Sequence, residues 1–128
     1  MGLNSDAIRR KNLGDLWIHD KNLLTESYVE NAMRFHKIAG STEAMMTILR
    51  KESFYTLNDE INQLAQMEVP TLLVWGREDK TVPLSCGQEM HRSLTGSRLE
   101  ITDHAGHVPN YEGVHTFNRL AVDFLQDQ

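Results

Sequence analysis

A short apolar run constrains the fold of this chain more than any other feature of its sequence. Residues 69–75 spell VPTLLVW, and Gly76 closes the run. An apolar run of this length, bounded by turn-forming residues, is typical of a β-strand that is buried on both faces. Such strands occur mainly in parallel sheets that helices cover on each side. The run therefore predicts an α/β fold.

The segments that follow continue this pattern. Residues 84–94, LSCGQEMHRSL, predict a helix entered through Pro83, and residues 97–102, SRLEIT, predict a second strand. Residues 113–125 carry apolar side chains at helical spacing. The order strand, helix, strand, helix implies two parallel strands joined by a right-handed crossover. Two strands form a poor sheet, and their apolar character calls for neighbouring strands that this sequence does not supply.

The first 67 residues differ in composition from the rest. They are rich in Met, Leu, Glu, Asn and Lys, whereas all three prolines and five of the eight glycines follow residue 68. Their apolar spacing and capping residues predict four helices. The predicted helices cover residues 6–18, 25–40, 41–51 and 58–67. The chain of 128 residues thus divides into a helical segment, 1–67, and an α/β segment, 68–128.

The net charge and the cysteine content indicate which partners and which cellular compartment to expect. The net charge is -5 and no basic face is evident, which argues against a nucleic-acid partner. Cys86 is the only cysteine, so an internal disulfide is impossible and a reducing compartment is favoured. No secretory signal or run long enough to span a bilayer is found. We therefore expect a cytoplasmic protein that does not bind membranes.

Two loops follow the predicted strands, at the sheet edge where ligands bind in open α/β folds. Asp79 lies a few residues beyond the first strand, and His107 lies a few residues beyond the second. If the strands are neighbours, the two side chains can meet. An aspartate bonded to one imidazole nitrogen fixes the tautomer and stabilises the imidazolium, so that the histidine can act as a general base.

The residues 69–83, VPTLLVWGREDKTVP, and 104–125, HAGHVPNYEGVHTFNRLAVDFL, resemble the C-terminal part of α/β-hydrolase fold enzymes, the lid-bearing serine hydrolase type. In that family the Asp of a W-G-x-x-D segment is the triad acid, and the His of a G-H segment is the base. The resemblance implies that Asp79 is the acid and His107 the base. Glu112 and Phe117 match a Glu and an aromatic that typically follow the G-H segment.

The resemblance also implies an activity and a domain organisation. Residues 1–67 would be the helical lid, and residues 68–128 the C-terminal part of the hydrolase core. The implied reaction is hydrolysis of an ester, an amide or a carbon–carbon bond in a small, largely apolar substrate, without a cofactor. Val82 and Val108, next to the implied catalytic positions, are expected to line the substrate pocket.

One part of the family pattern is missing. The sequence contains no G-x-S-x-G nucleophile elbow, nor the same motif with Cys or Asp at its centre. Without a nucleophile and oxyanion donors, the implied acid and base have nothing to activate, so this chain alone is expected to be inactive. Two hypotheses follow: the chain is part of a longer hydrolase, or it is a non-catalytic remnant that serves as a binding or oligomerisation module, for example as a homodimer.

Several other residues have ordinary structural interpretations. His104, with His107 and Asp103, suggests a metal site, but a glycine-bearing loop does not hold histidines three apart on one helical face, so no metal is expected. We expect His104 to face solvent or support the base.

Cys86 is expected to pack in the interior, Ser85 to cap a helix, and Glu78 to be exposed. Methionines in the first segment favour core packing over an adaptable pocket cover; they are Met33, Met45, Met46 and Met67.

Overall fold

The computed structural model describes residues 6–50 and 58–127. Its α-helices and β-strands, in chain order, are α1 (Asp6–Asn12), α2 (Glu26–Met33), α3 (Ser41–Arg50), α4 (Asn58–Gln66), β1 (Leu72–Gly76), α5 (Leu84–Ser93), β2 (Arg98–Thr102), α6 (Pro109–Glu112) and α7 (Val114–Gln126). A π-helix, Leu13–Trp17, continues α1, and short 3₁₀-helices cover Lys21–Leu23 and Arg34–Lys37. No helix in the described residues is long and apolar enough to cross a membrane.

The sheet is a pair of parallel strands. Leu72 in β1 lies opposite Arg98 in β2, and Gly76 lies opposite Thr102, so both strands end at the same edge. The helix α5 connects them, as the sequence predicted. The expected burial on both faces is wrong for this chain, because residues 72–75 are only half-buried. In the described residues this sheet has two strands, which leaves part of each strand surface uncovered.

The first predicted helix changes its geometry at Gly14. The α-helix ends at Asn12, and the chain continues as a π-helix in which the Ile18 amide donates to the Leu13 carbonyl over 3.0 Å. Glycine is a poor helix former, so it favours such a change of hydrogen-bond pattern. The wider turn buries Leu13, which packs with Val29 of α2. This contact anchors the helical segment around a small apolar core.

The second helix begins where the sequence predicts and ends earlier. The Thr25 side chain accepts a hydrogen bond from the Tyr28 amide at 3.1 Å and so caps α2. The regular α-helix ends at Met33 and tightens into a 3₁₀-helix before Gly40. Gly40 has a φ of 83°, a left-handed conformation that suits glycine at the end of a helix. The next helix, α3, starts at Ser41. The sequence favoured Ser41 as the capping residue of this helix, and that expectation is wrong, because the Ser41 hydroxyl is buried without a hydrogen-bond partner in the part of the chain that the structure describes.

Two expectations about α5 are wrong. Ser85 lies inside the helix, which starts at Leu84 after Pro83 without a side-chain cap. Cys86 is exposed and does not pack in the interior. The buried position of this helix is Gly87, where a Cβ atom would lie 2.7 Å from the Trp75 ring. The absence of a side chain at Gly87 therefore lets α5 approach β1 closely.

Candidate active site

The ends of the two strands bring two loops into direct contact. Beyond the sheet, the Arg77 amide donates to the Thr102 carbonyl over 3.0 Å, and the Glu78 amide donates to the Ala105 carbonyl over 3.0 Å. Gly76 makes this approach possible, because a Cβ atom there would overlap the carbonyl oxygens of Ala105 and Gly106. Glycine is needed at this point for its lack of a side chain. The two loops are thereby joined through their backbones.

Asp79 and His107 meet at this edge. His107 Nδ1 lies 2.9 Å from Asp79 Oδ2, and the Asp79 side chain is 5% exposed, against 32% for His107. The other carboxylate oxygen of Asp79 accepts the amide hydrogens of Thr81 and Val82 at 2.8 and 2.9 Å. These amides hold the carboxylate in one orientation. An ionised carboxylate can only accept, so this contact favours the ring tautomer with its hydrogen on Nδ1, in which Nε2 is a proton acceptor.

A neighbouring tryptophan holds His107 from the other side. The His107 amide donates to the Trp17 carbonyl over 2.7 Å, and the two rings lie 5.6 Å apart at an interplanar angle of 60°. The Thr81 hydroxyl donates to the Leu16 carbonyl over 3.1 Å. Trp17 thus connects the helical segment to the candidate base. No local motif links Trp17 to His107, so the sequence alone did not indicate this contact.

Glu112 joins three chain segments with one carboxylate. Its Oε1 accepts the Gly106 amide at 2.6 Å, and its Oε2 accepts the amides of His19 and Asp20 at 2.6 and 3.0 Å. Hydrogen bonds to a charged acceptor are stronger than those between neutral groups. The resemblance had matched Glu112 by position without giving it a role. In the structure it fixes the backbone just before His107 against the end of the π-helical segment.

Glu78 is half-buried, so the expectation that it is exposed is wrong. Its carboxylate accepts the Ala105 amide over 3.0 Å, while its own amide donates to the Ala105 carbonyl. This two-way pairing explains the burial, because the side chain turns toward the opposite loop. Arg77 forms an ion pair with exposed Asp103 across the same loops. The hydrogen bond from Arg77, and then the attraction between the charges, lowers the pKa of Asp103.

A small cavity of about 160 Å³ lies over the Asp79–His107 pair. Its wall consists of Val74, Trp75, Gly76, Asp79, Val82, His107 and Pro109. Val82, which is a predicted pocket residue, lies in this wall. Among the described residues, Pro109 lies in the wall in place of its neighbour Val108. The Trp75 indole donates to the Val82 carbonyl over 3.0 Å and so fixes this part of the wall.

A larger apolar cavity of about 370 Å³ lies beside Trp17, within the helical segment. Three of the four methionines noted in the sequence line it, and they are Met33, Met45 and Met46. Met33 is also part of the small core, whereas Met45 and Met67 are exposed, so the interpretation of these residues as core is wrong for two of the four. Trp17 belongs to the wall of this cavity and contacts His107, which links the cavity to the candidate base.

His104 lies apart from His107 and close to another histidine. Its ring centroid is 6.3 Å from that of His19, and Glu78 completes a group of three. One potential ligand atom from each residue lies within 4.8 Å of the others. This is a possible set of metal ligands, and it differs from the His104–His107 set considered from the sequence.

A family model described as alpha/beta hydrolase fold matches residues 8–114. A 2-hydroxy-6-oxononadienedioate/2-hydroxy-6-oxononatrienedioate hydrolase of Pseudomonas putida is 29% identical over 121 residues, which are 91% of this chain and 41% of that protein. A 2-hydroxy-6-oxo-6-phenylhexa-2,4-dienoate hydrolase of Comamonas testosteroni is 29% identical over 115 residues, 88% of this chain and 40% of that protein.

Solved structures agree with this likeness. A meta-cleavage product hydrolase of Pseudomonas fluorescens aligns with a TM-score of 0.79 and 24% identity, over 96% of this chain and 46% of that one. A predicted CIB-like hydrolase of Thermoplasma acidophilum aligns with a TM-score of 0.51 and 35% identity, over 60% of this chain and 34% of that one. The chain therefore spans about two-fifths of the length of the curated relatives it matches.

Proposed function

The chain belongs to the α/β-hydrolase fold family, and we propose that it supplies the acid and the base of a hydrolase that cleaves a carbon–carbon bond. The observation that carries this proposal is the 2.9 Å contact between Asp79 Oδ2 and His107 Nδ1, made by two loops at the carboxyl edge of the sheet. In the proposed site Asp79 orients the ring and stabilises its charged form, and His107 moves the proton.

The names of the relatives indicate which kind of bond these enzymes hydrolyse. The relatives are named as hydrolases of 2-hydroxy-6-oxo dienoates and dienedioates. Such names describe a conjugated keto acid with no ester or amide group, so that hydrolysis must break a bond between two carbon atoms. We propose a substrate of this class for this chain, and we prefer it to the ester and amide alternatives.

The larger cavity supports a substrate with an extended apolar part. Its wall is mostly apolar and includes flexible methionines, which adapt to irregular shapes. The helical segment, residues 1–67, would then be the lid, and the small cavity with Val82 and His107 would hold the reacting carbon. Val108 remains a predicted lining residue.

The proposed reaction needs a hydroxyl nucleophile that residues 1–128 do not offer in a G-x-S-x-G elbow. We propose that a further segment of the enzyme supplies it. His107 Nε2 would accept the hydroxyl proton as the oxygen attacks the 6-oxo carbon. Before the bond breaks, the dienol would ketonise by losing its 2-hydroxyl proton and gaining a proton at C5, because cleavage of the dienol itself would leave an unstabilised vinyl carbanion. The C5–C6 bond then breaks with its electron pair moving through the C3–C4 double bond to the 2-oxo oxygen, which takes up a proton. Water releases the acyl group, with His107 again as base.

The proposal is tested in the enzyme that joins this chain to its nucleophile-bearing segment. Loss of the dienoate absorbance measures hydrolysis of a 2-hydroxy-6-oxo dienoate. We expect Asp79→Asn and His107→Gln each to lower kcat by at least about 10³-fold, because each removes the proton acceptor or its orientation. Glu89→Gln, on the exposed side of α5, is the matched control and should retain the activity. Full activity in the His107 variant would refute the assignment.

A further inference from the structure

We propose that His19, Glu78 and His104 form a binding site for a divalent transition-metal ion of the Zn²⁺ type. One ligand atom of each residue lies within 4.8 Å of the other two. Two imidazoles and one carboxylate are a ligand set that zinc accepts, with a fourth position left for water. No sequence motif indicated this site, because its three members come from three separate segments.

The distances require only small movements to bind an ion. Zinc bonds of about 2.0–2.2 Å place tetrahedral ligand atoms about 3.5 Å apart, so the three atoms must approach each other by about 1 Å or slightly more. His19 and His104 are exposed, and their rings are already 6.3 Å apart with an interplanar angle of 31°. Both exposed side chains therefore have room to rotate toward an ion.

The three backbone positions are held in place before any ion arrives. The His19 amide donates to Glu112 Oε2 over 2.6 Å. One oxygen of Glu78 accepts the Ala105 amide over 3.0 Å, which orients the carboxylate and leaves its other oxygen for a cation. His104 has a φ of 57°, a left-handed conformation within the turn that follows β2. Because these backbone positions are already ordered, binding of an ion would restrict mainly the side chains and cost less conformational freedom.

The position of the site gives the ion a structural consequence. His19 follows the π-helix of the helical segment, Glu78 precedes Asp79, and His104 belongs to the loop that carries His107. A bound ion would therefore connect the helical segment to both loops of the Asp79–His107 pair. We expect Zn²⁺ to stabilise the chain against unfolding, because an ion that binds only the folded form shifts the folding equilibrium.

Titration calorimetry of the 128-residue chain with Zn²⁺ tests the site. We expect one ion per chain and a weakening of at least about tenfold in His19→Ala, Glu78→Gln and His104→Asn, since even indirect partners of a metal contribute about tenfold to its affinity. Asn tolerates the left-handed backbone of position 104, and Gln keeps an oxygen for the Ala105 amide. The control is His115→Ala, which removes an exposed histidine of α7.

Zinc-induced shifts of the ring resonances in the unsubstituted chain give a second measurement that does not depend on folding of the variants. We expect the resonances of His19 and His104 to move and that of His115 to stay. The proposal is overturned by an absence of saturable binding, by binding that survives concentrated urea, by unchanged affinity in the His19→Ala, His104→Asn double variant, or by loss of binding in Cys86→Ser.

Discussion

At the scale of single residues, carboxylates hold the His107 ring and the nearby backbone in position. Asp79 is almost completely buried and accepts the Thr81 and Val82 amides as well as the His107 ring. Glu112 performs a similar role for backbone amides on both sides of the contact between the segments. The Asp79 carboxylate is buried and Glu112 is half-buried, and the amide donors around each offset the cost of removing a charge from water.

A first prediction concerns Glu112→Gln. The amide group of glutamine offers one acceptor, so its NH₂ must face either Gly106 or the pair of amides from His19 and Asp20. We expect the free energy of unfolding to fall by about 2 kcal/mol, measured by urea denaturation. Glu89→Gln is the matched control and should stay within about 0.5 kcal/mol. An unchanged Glu112 variant would show that these hydrogen bonds contribute little.

A second prediction concerns Gly76→Ala. A Cβ atom at this position overlaps two backbone oxygens, which cannot move without separation of the loops. We expect a loss of about 3 kcal/mol in the free energy of unfolding. Gly14→Ala is a suitable comparison, because its Cβ meets only the flexible end of Leu24 at 3.1 Å, and a change of no more than about 1 kcal/mol is expected there. Equal effects in the two variants would contradict the close approach at Gly76.

At the scale of elements, an aromatic stack joins α2 to α6. The rings of Tyr28 and Tyr111 lie 4.6 Å apart and nearly parallel, and the Tyr111 hydroxyl donates to the Leu23 carbonyl over 3.2 Å. Burial, followed by the nearby Tyr111 and Glu112, raises the pKa of Tyr28. The stack therefore fixes the helix that bears the apolar core against the helix that starts directly after the candidate base.

This stack leads to a prediction about alkaline pH. The pKa of Tyr28 is higher in the folded chain than its ordinary value of 10.0. The protonated Tyr28 hydroxyl therefore contributes its full stabilisation below pH 10, and this stabilisation is lost as the pH rises through the pKa of the folded chain. We expect stability to decline in this alkaline range and the decline to be smaller in Tyr28→Phe. Urea denaturation at a series of pH values measures both. An identical alkaline decline in the Tyr28→Phe variant would rule out this cause.

The elements also show what the sequence could and could not predict. Strand order, the crossover helix and the Thr25 cap followed from local patterns, and the meeting of Asp79 with His107 followed from the shared edge of parallel strands. The Ser85 cap failed because Pro83 already starts the helix without a capping hydroxyl. Trp17 could not be predicted, since its contact with His107 depends on how distant segments pack.

At the scale of the whole molecule, hydrogen bonds join the helical segment to the α/β segment. The His107 amide donates to the Trp17 carbonyl, and the Thr81 hydroxyl donates to the Leu16 carbonyl. Both loops of the candidate site therefore depend on the docking of residues from the π-helix.

This coupling predicts the behaviour of hydrogen exchange. In Glu112→Gln we expect the His107 amide to exchange faster, although Glu112 does not accept its hydrogen, because weaker docking also frees the Trp17 carbonyl. The Glu89→Gln variant, changed at an exposed position of α5, serves as the control, and its His107 amide should exchange as before. If faster exchange is confined to the amides of Gly106, His19 and Asp20, whose hydrogens Glu112 accepts, the docking is local and the two segments are not coupled.

The central claim, that Asp79 prepares His107 to act as a base, is tested most directly by the tautomer of the His107 ring. Nitrogen-15 correlation spectra of the chain, recorded at a pH where the ring is neutral, distinguish protonation at Nδ1 from protonation at Nε2. The 2.9 Å contact with Asp79 predicts the hydrogen on Nδ1 and a shift toward Nε2 in Asp79→Asn. A hydrogen on Nε2 in the unsubstituted chain, or the same tautomer in the unsubstituted chain and in Asp79→Asn, would contradict the claim.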